Sequence, residues 1–290
     1  MHYTDVNYNS PRSVRGLLEA HGIRLQKRFG QNFLVDPNIR ASICRLVPVQ
    51  SGDMVWEIGP GIGALTHELI HHGCQVTAFE IDHGLIAILK ELFYGEQLSV
   101  VTGDCVRTLP AYCQSSSQPQ AIVGNLPYNA ASAIIMALLE GDQLPAHLLT
   151  MVQREAANRM AADPSNKEYA AYSVACQARA DIRIRFDVPP EAFFPRPEVV
   201  STVVEVIPRQ LESPLPPWFS PLVRRSFQSR RKTLRNNLKG QPVYPGITGE
   251  MILDACLSQG IPPEIRAERI EVEQFIQLAR AVSPQARLTE

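Results

Sequence analysis

The chain has 290 residues, 28 Lys+Arg against 29 Asp+Glu, and is 45% hydrophobic and 20% charged. That is enough apolar chain for a sizeable core, so wholesale disorder is excluded, and the length fits one large domain or a domain with an appendage. The net charge of -1 argues, as a total, against a nucleic-acid partner, yet it is the sum of +4 over residues 1–51, -8 over 52–145, +6 over 146–240 and -3 over 241–290. No apolar run reaches the ~18 residues of a membrane span, and the polar start has no signal-peptide pattern. Six cysteines without a C-x-x-C pair read as reduced thiols, so a cytoplasmic protein is expected.

In chain order, residues 1–20 read as polar and loose, and 25–34 as a mixed loop. Residues 37–47 read as a helix, with Pro37 near its start and Ile39, Ile43 and Leu46 at helical spacing. From residue 54 the pattern becomes strand, glycine turn, helix, and then repeats. Strands are predicted at 54–58, 75–81, 98–102, 121–124 and 148–153, with helices at 64–72, 84–93 and 130–140. Such alternation predicts an α/β fold, a parallel sheet with helices on both faces. Residues 182–188 and 199–206 alternate more loosely and predict an antiparallel pair closing the sheet. The proline-rich stretch 208–221 reads as a linker before helices at 219–239, 248–259 and 272–282. Domains are therefore expected at 1–207 and 208–290.

Glu57-Ile-Gly59-Pro-Gly61-Ile-Gly63 sits where the first of the parallel strands meets its helix, and glycines there let backbone approach a ligand closely. Glu80 ends the next strand, where a carboxylate can take two ribose hydroxyls. Asp104 ends the third, in reach of an adenine amino group. All three fall at the carboxyl ends of strands, where open parallel sheets bind ligands. The pattern points to an adenosine-bearing cofactor and leaves NAD and S-adenosylmethionine open, with an unliganded tight turn as the plain alternative.

Asn125-Leu126-Pro127-Tyr128 ends the fourth strand at the same edge. An aromatic amine is a poor nucleophile because its lone pair is delocalised into the ring. Two acceptors, the Asn125 side-chain carbonyl and the Leu126 backbone carbonyl, can draw its hydrogens out of plane and localise that pair. Pro127 stiffens the turn, and Tyr128 offers a face to a base that has left its stack. A methyl sulfonium would supply the electrophile without a metal or a strong base. The plain alternative is a strand-ending turn with a core tyrosine.

These motifs resemble the KsgA/RsmA family of ribosomal RNA adenine dimethyltransferases. Five segments carry the likeness: Lys27-Arg-Phe-Gly-Gln-Asn-Phe-Leu34, Glu57-Ile-Gly-Pro-Gly61, Asn125-Leu-Pro-Tyr128, Phe193-Phe-Pro-Arg-Pro-Glu-Val-Val-Ser201 and Arg230-Arg-Lys-Thr-Leu-Arg-Asn-Asn-Leu238. The resemblance runs from about residue 20 to 283. It implies a Rossmann-like, seven-stranded S-adenosylmethionine-dependent methyltransferase sheet with a small C-terminal all-helical domain. It implies S-adenosylmethionine as cofactor, with Gln31, Asn32 and Leu34 on its methionine side, Gly59 and Gly61 under it, Glu80 and Ile81 at the ribose, Asp104 and Cys105 at the adenine, and Asn125 at the transfer point. The implied substrate is a pair of adjacent adenosines near the 3′ end of 16S rRNA, within the small ribosomal subunit or its precursor, acted on by a monomer. The fifth segment and the C-terminal helices favour this over large-subunit resistance methylases that share the catalytic motifs. A non-catalytic RNA-binding assembly or transcription factor is the alternative of a different class.

Arg224, Arg225, Arg230, Arg231, Lys232, Arg235 and Lys239 fall within sixteen residues that contain no acid. With Phe227, Leu234 and Leu238 at helical spacing, one face can pack while the other offers cations to RNA phosphates. Lys27 and Arg28, beside the expected cofactor loop, and Arg196 are further RNA candidates. Phe193 and Phe194 are catalytic candidates too: one of them would stack the target base against Tyr128, and the sequence leaves open which. One competing motif, His67-Glu68-Leu-Ile-His71, matches the helical H-E-x-x-H zinc pattern but offers no third ligand at a known spacing. No metal is expected.

Overall fold

The computed structural model describes residues 2–23, 31–141, 147–240 and 242–283. Its elements are α1 Pro11–Ala20, β1 Phe33–Leu34, α2 Pro37–Leu46, β2 Met54–Ile58, α3 Ala64–His71, β3 Gln75–Glu80, α4 His83–Leu92, β4 Leu98–Thr102, α5 Cys105–Ser115, β5 Ala121–Asn125, α6 Ala131–Leu139, β6 Leu148–Gln153, α7 Arg154–Met160, α8 Ala171–Gln177, β7 Ala180–Val188, β8 Phe193–Phe194, β9 Ser201–Pro208, α9 Phe219–Ser226, α10 Leu234–Leu238, α11 Gly249–Ser258 and α12 Val272–Ala281.

Seven strands form one sheet in the order β4-β3-β2-β5-β6-β9-β7. The first five are mutually parallel, and β9 runs antiparallel to β6 from Leu148 opposite Val206 to Gln153 opposite Ser201. The central strands are apolar on both faces, as strands covered by helices must be: Val55, Trp56, Ile58, Val123, Leu149 and Val152 are all buried. Strand order reverses at β2, whose neighbours are β3 on one side and β5 on the other. A crevice therefore opens at the carboxyl ends of these strands.

The chain divides into two compact units. The described residues up to Ala157 with Ile182–Pro208 form the sheet unit, and Asn158–Asp181 with the described residues from Arg209 onward form a helical one. The expected domain 1–207 therefore differs from the structure over 158–181. That excursion joins the helical core through Tyr169, Val174 and Ala178, and the Tyr169 hydroxyl donates to the Ile270 carbonyl at 2.8 Å. Nothing in the sequence of 158–181 announces a change of unit, because its apolar residues would suit either core.

Two other local expectations are corrected, and α5 occupies a stretch for which none was made. Residues 11–20 are a helix rather than a loose segment: Ser10 caps it, Pro11 starts it, and Val14, Leu17 and Leu18 enter the core. α5 fills the stretch after Asp104, which caps it by accepting from Val106 N. The single helix expected at 219–239 is two helices. Asn237 Nδ2 donates to the Ser226 carbonyl at 2.7 Å and the Ser229 carbonyl at 3.1 Å, closing the end of α9, and Thr233 caps α10.

Candidate active site

The carboxyl ends of β2, β3, β4 and β5 surround a cleft of about 240 Å³. Of the residues assigned to a cofactor from sequence, Gln31, Asn32, Gly59, Gly61, Glu80, Ile81, Asp104, Cys105 and Asn125 line it. Leu34 does not: it is buried in the core beside Phe33, and only its backbone takes part in the polar contacts described below. Sequence reasoning missed Phe79, Asn129, Ala130 and Ile134, which also line the cleft. Ile134 sits one helical turn into α6, so the helix that follows the tetrapeptide was the available signal.

The turn after β2 is built for close approach. Gly59 and Gly61 take positive φ (69° and 61°), and a Cβ on Gly61 would lie 2.9 Å from the Phe33 ring, so only glycine fits there. Glu80, 7% exposed, ends β3 with its Oε1 accepting from Ile81 N at 2.8 Å and Asp82 N at 2.9 Å. Burial pushes this carboxyl up, while those amides and that of Gly61 pull it back down. Asp82 caps α4 through Oδ1 and takes the Gln31 amide on Oδ2 at 2.8 Å. Burial pushes the Cys105 thiol up to about 11, so it is an uncharged wall of the cleft. Behind the turn, burial pushes Glu57 up to about 7, against the Thr66 hydroxyl, which donates to its Oε2 at 2.6 Å.

Asn125, at the end of β5, donates its Nδ2 to the Asn32 carbonyl at 2.7 Å. One of the two amide N–H groups is thereby committed, which sets the nitrogen rather than the carbonyl oxygen toward Asn32. Pro127 lines the cleft with Asn125, whereas the Leu126 side chain is buried, anchored by its N–H to the Met151 carbonyl. The half-buried Tyr128 ring is fixed by a 2.6 Å hydroxyl contact with Ser201 Oγ. β1 and β8 pair antiparallel, Phe33 opposite Phe194 and Leu34 opposite Phe193. Phe193 is a core residue, and Phe194 is partly buried with the Arg15 guanidinium over its ring at 5.2 Å.

The H-E-x-x-H motif has a different occupation in the structure. Glu68 Oε1 meets Arg40 Nε at 3.4 Å and His67 Nδ1 at 3.7 Å, and the neighbouring His67 ring, ahead of Arg40, holds the Glu68 carboxyl below the usual range. His67 packs edge-on to Tyr3 and beside Tyr8.

The cationic segment is less free than its sequence suggests. Arg230 pairs with Glu268 at 3.1 Å and Arg235 with Glu264 at 3.1 Å, acids that lie far along the chain. Arg225 Nη1 donates to Gln228 Oε1 at 2.7 Å. Arg224, Arg231 and Lys232 are exposed, with no ion pair among the described residues. Arg196 is paired with Glu191. Lys27 and Arg28 lie outside the described residues. No described helix is long and apolar enough to cross a membrane.

The family model for ribosomal RNA adenine dimethylase matches residues 22–283. A ribosomal RNA small subunit methyltransferase A of Magnetococcus marinus is 39% identical over 276 residues, 93% of this chain and 96% of the relative. Its namesake in Treponema pallidum is 36% identical over 276 residues, 94% and 96% of the two chains. A dimethyladenosine transferase structure from Plasmodium falciparum shares the fold, with a TM-score of 0.71 over 84% of this chain and 94% of that one at 24% identity. The match spans both compact units and every motif around the cleft, and the chain belongs to the ribosomal RNA adenine dimethylase family.

Proposed function

We propose that this methyltransferase uses S-adenosylmethionine to dimethylate N6 of two adjacent adenosines near the 3′ end of 16S rRNA, within the small ribosomal subunit or its precursor, as a monomer in the cytoplasm. The observation that carries the reading is the commitment of the Asn125 amide to the Asn32 carbonyl at 2.7 Å, which leaves the Asn125 carbonyl as an acceptor at the cleft. The small-subunit names of relatives at 36–39% identity support this target over large-subunit RNA.

The donor and acceptor set fits the cofactor. Glu80 would offer its buried, amide-oriented carboxylate to the ribose hydroxyls, and Asp104 and the uncharged Cys105 would hold the adenine. Ile81, Phe79 and Ile134 supply an apolar wall, and Gln31, Asn32 and the glycine turn would receive the methionine end. When bound, S-adenosylmethionine supplies an activated methyl group on a sulfonium whose charge is lost on transfer.

The chain's own residues then act on the amine. The Asn125 and Leu126 carbonyls accept its hydrogens and draw them from the ring plane, which localises the nitrogen lone pair. Tyr128, fixed through Ser201, supports the flipped base on one side. Phe194 is the stacking partner on the other, because Phe193 is spent on the core. Arg224, Arg231 and Lys232 meet backbone phosphates.

The test is incubation with labelled methyl donor and undermethylated small subunits, followed by mapping of modified nucleotides. Label on two adjacent adenosines near the 3′ end is expected. Label confined to large-subunit RNA would overturn the proposed target, and no label on any RNA would overturn the activity.

A further inference from the structure

Arg40, on α2, is 3% exposed, and its guanidinium is shared among three segments distant in sequence. Nη1 donates to the Leu34 carbonyl at 3.2 Å, Nη2 to Asn9 Oδ1 at 2.5 Å, and Nε to Glu68 Oε1 at 3.4 Å. These acceptors belong to β1, to the segment ahead of α1, and to α3, the helix that leaves the glycine turn. Only arginine's planar fork can serve three acceptors in fixed directions; a lysine ammonium is a point charge on a flexible stem.

β1 itself is short. It pairs with β8 over two residues, and Val35 N adds one bond to the Ala192 carbonyl at 2.8 Å. Yet β1 adjoins Asn32, whose carbonyl takes the Asn125 amide. A guanidinium buried under so short a strand is expensive unless fully bonded, and here each arm is occupied. The glutamate of the H-E-x-x-H motif thus has an electrostatic partner 28 residues upstream.

We propose that Arg40 is a positioning residue for methyl transfer: its grip on the Leu34 carbonyl fixes β1, and through Asn32 it holds Asn125 in its accepting orientation. This rests on the role given to Asn125 above. Glu68 balances the charge, and Asn9 ties the N-terminal segment to the same clamp.

The test pairs Arg40→Met with Glu68→Gln, so that no carboxylate is left buried without its partner. In cofactor-free protein, amide exchange at Phe33, Leu34 and Val35 is expected to quicken about tenfold, while β2 and β5 amides keep their protection. With the methyl donor and RNA supplied, kcat is expected to fall about tenfold, with KM for RNA unchanged. A lower melting temperature with unchanged exchange at Phe33–Val35 would make Arg40 a general stability residue and overturn the proposal. Faster exchange with unchanged kcat would overturn its link to Asn125. If the double variant fails to fold, Arg40→Lys, which keeps the charge but not the fork, decides by the same two readings. Should wild-type protein fail to methylate RNA while exchange responds as expected, the proposed function falls and the clamp on β1 stands.

Discussion

The cleft at the sheet edge and the cationic segment 224–239 hold their charges in opposite ways. In the cleft, Glu80 is nearly buried and takes two backbone N–H groups, while Asp82 and Asp104 each cap a helix. Those carboxylates are placed by the main chain and cannot wander. In the segment, Arg230 leans on the half-exposed Glu268 and the Lys167 carbonyl and Arg235 on the exposed Glu264, while Arg224, Arg231 and Lys232 stand in solvent on long stems. A small ligand must be met at fixed points, so its acceptors are built into turns. Phosphates along an RNA repeat and vary, so exposed cations suffice for them. On the proposed function, the opposed net charges of the chain's segments match this division of labour.

The cleft's half of the contrast breaks most severely at Asn125. Asn125→Ala is expected to lower methyl transfer by about 10²- to 10³-fold, as for loss of one preorganised polar group, while cofactor affinity by equilibrium dialysis changes a few-fold at most. Wild-type turnover would remove the proposed role. Next, Glu80→Ala should weaken cofactor binding about 10- to 100-fold, in line with ~1.5–3 kcal/mol for hydrogen bonds to a charged group, and leave RNA affinity intact. Charge reversal at Arg231 and Lys232 should do the converse. RNA affinity falls, its log–log salt slope flattens by about one unit per lost phosphate contact, and cofactor binding is untouched. Neutralising Arg230 or Arg235 should cost less, because each already meets a glutamate.

The smallest effect concerns Glu57. Its native carboxyl, pushed up to about 7 by burial, keeps its proton past the point where the unfolded chain has released it, near 4.5. The native state therefore binds more protons between those values. The stability linked to Glu57 is complete below the lower value and is lost as pH rises through the upper one. Thermal melts should show a midpoint that declines by a few degrees from about pH 5 to 8. Glu57→Gln, which can still accept from Thr66, should flatten that decline; an unchanged pH profile would show that Glu57 is not its source.

The parallel strands were legible because both their faces are covered, so Val, Ile and Leu run consecutively between glycine turns. α1 had its signals, Ser10-Pro11 and apolar residues at 14, 17 and 18, but polar residues elsewhere masked them. α5 was obscured because Asp104 was read only as a ligand group, although an aspartate at a helix start is also a cap. At the site, the glycine turn and the tetrapeptide were readable as contiguous segments. The split between Phe193 and Phe194 was not, since which of two neighbours in a strand turns inward depends on a register that only the β1–β8 pairing sets, and the burial of Leu34 alongside Phe33 comes from that same pairing. The acids that temper Arg230 and Arg235 lie beyond the segment, where no local pattern reaches.

One neutral side chain has a consequence for the proposed RNA contact. A straight helix over residues 224–239 would string its cations along about 24 Å at fixed angular steps. Asn237 instead pins an elbow, bonding the carbonyls of Ser226 and Ser229 and the N–H of Ser229. The spacing of the cations is thus a ruler whose graduations are set by an amide that is itself 4% exposed. On the proposed function, a change at Asn237 would alter which phosphates are reached without adding or removing a single charge.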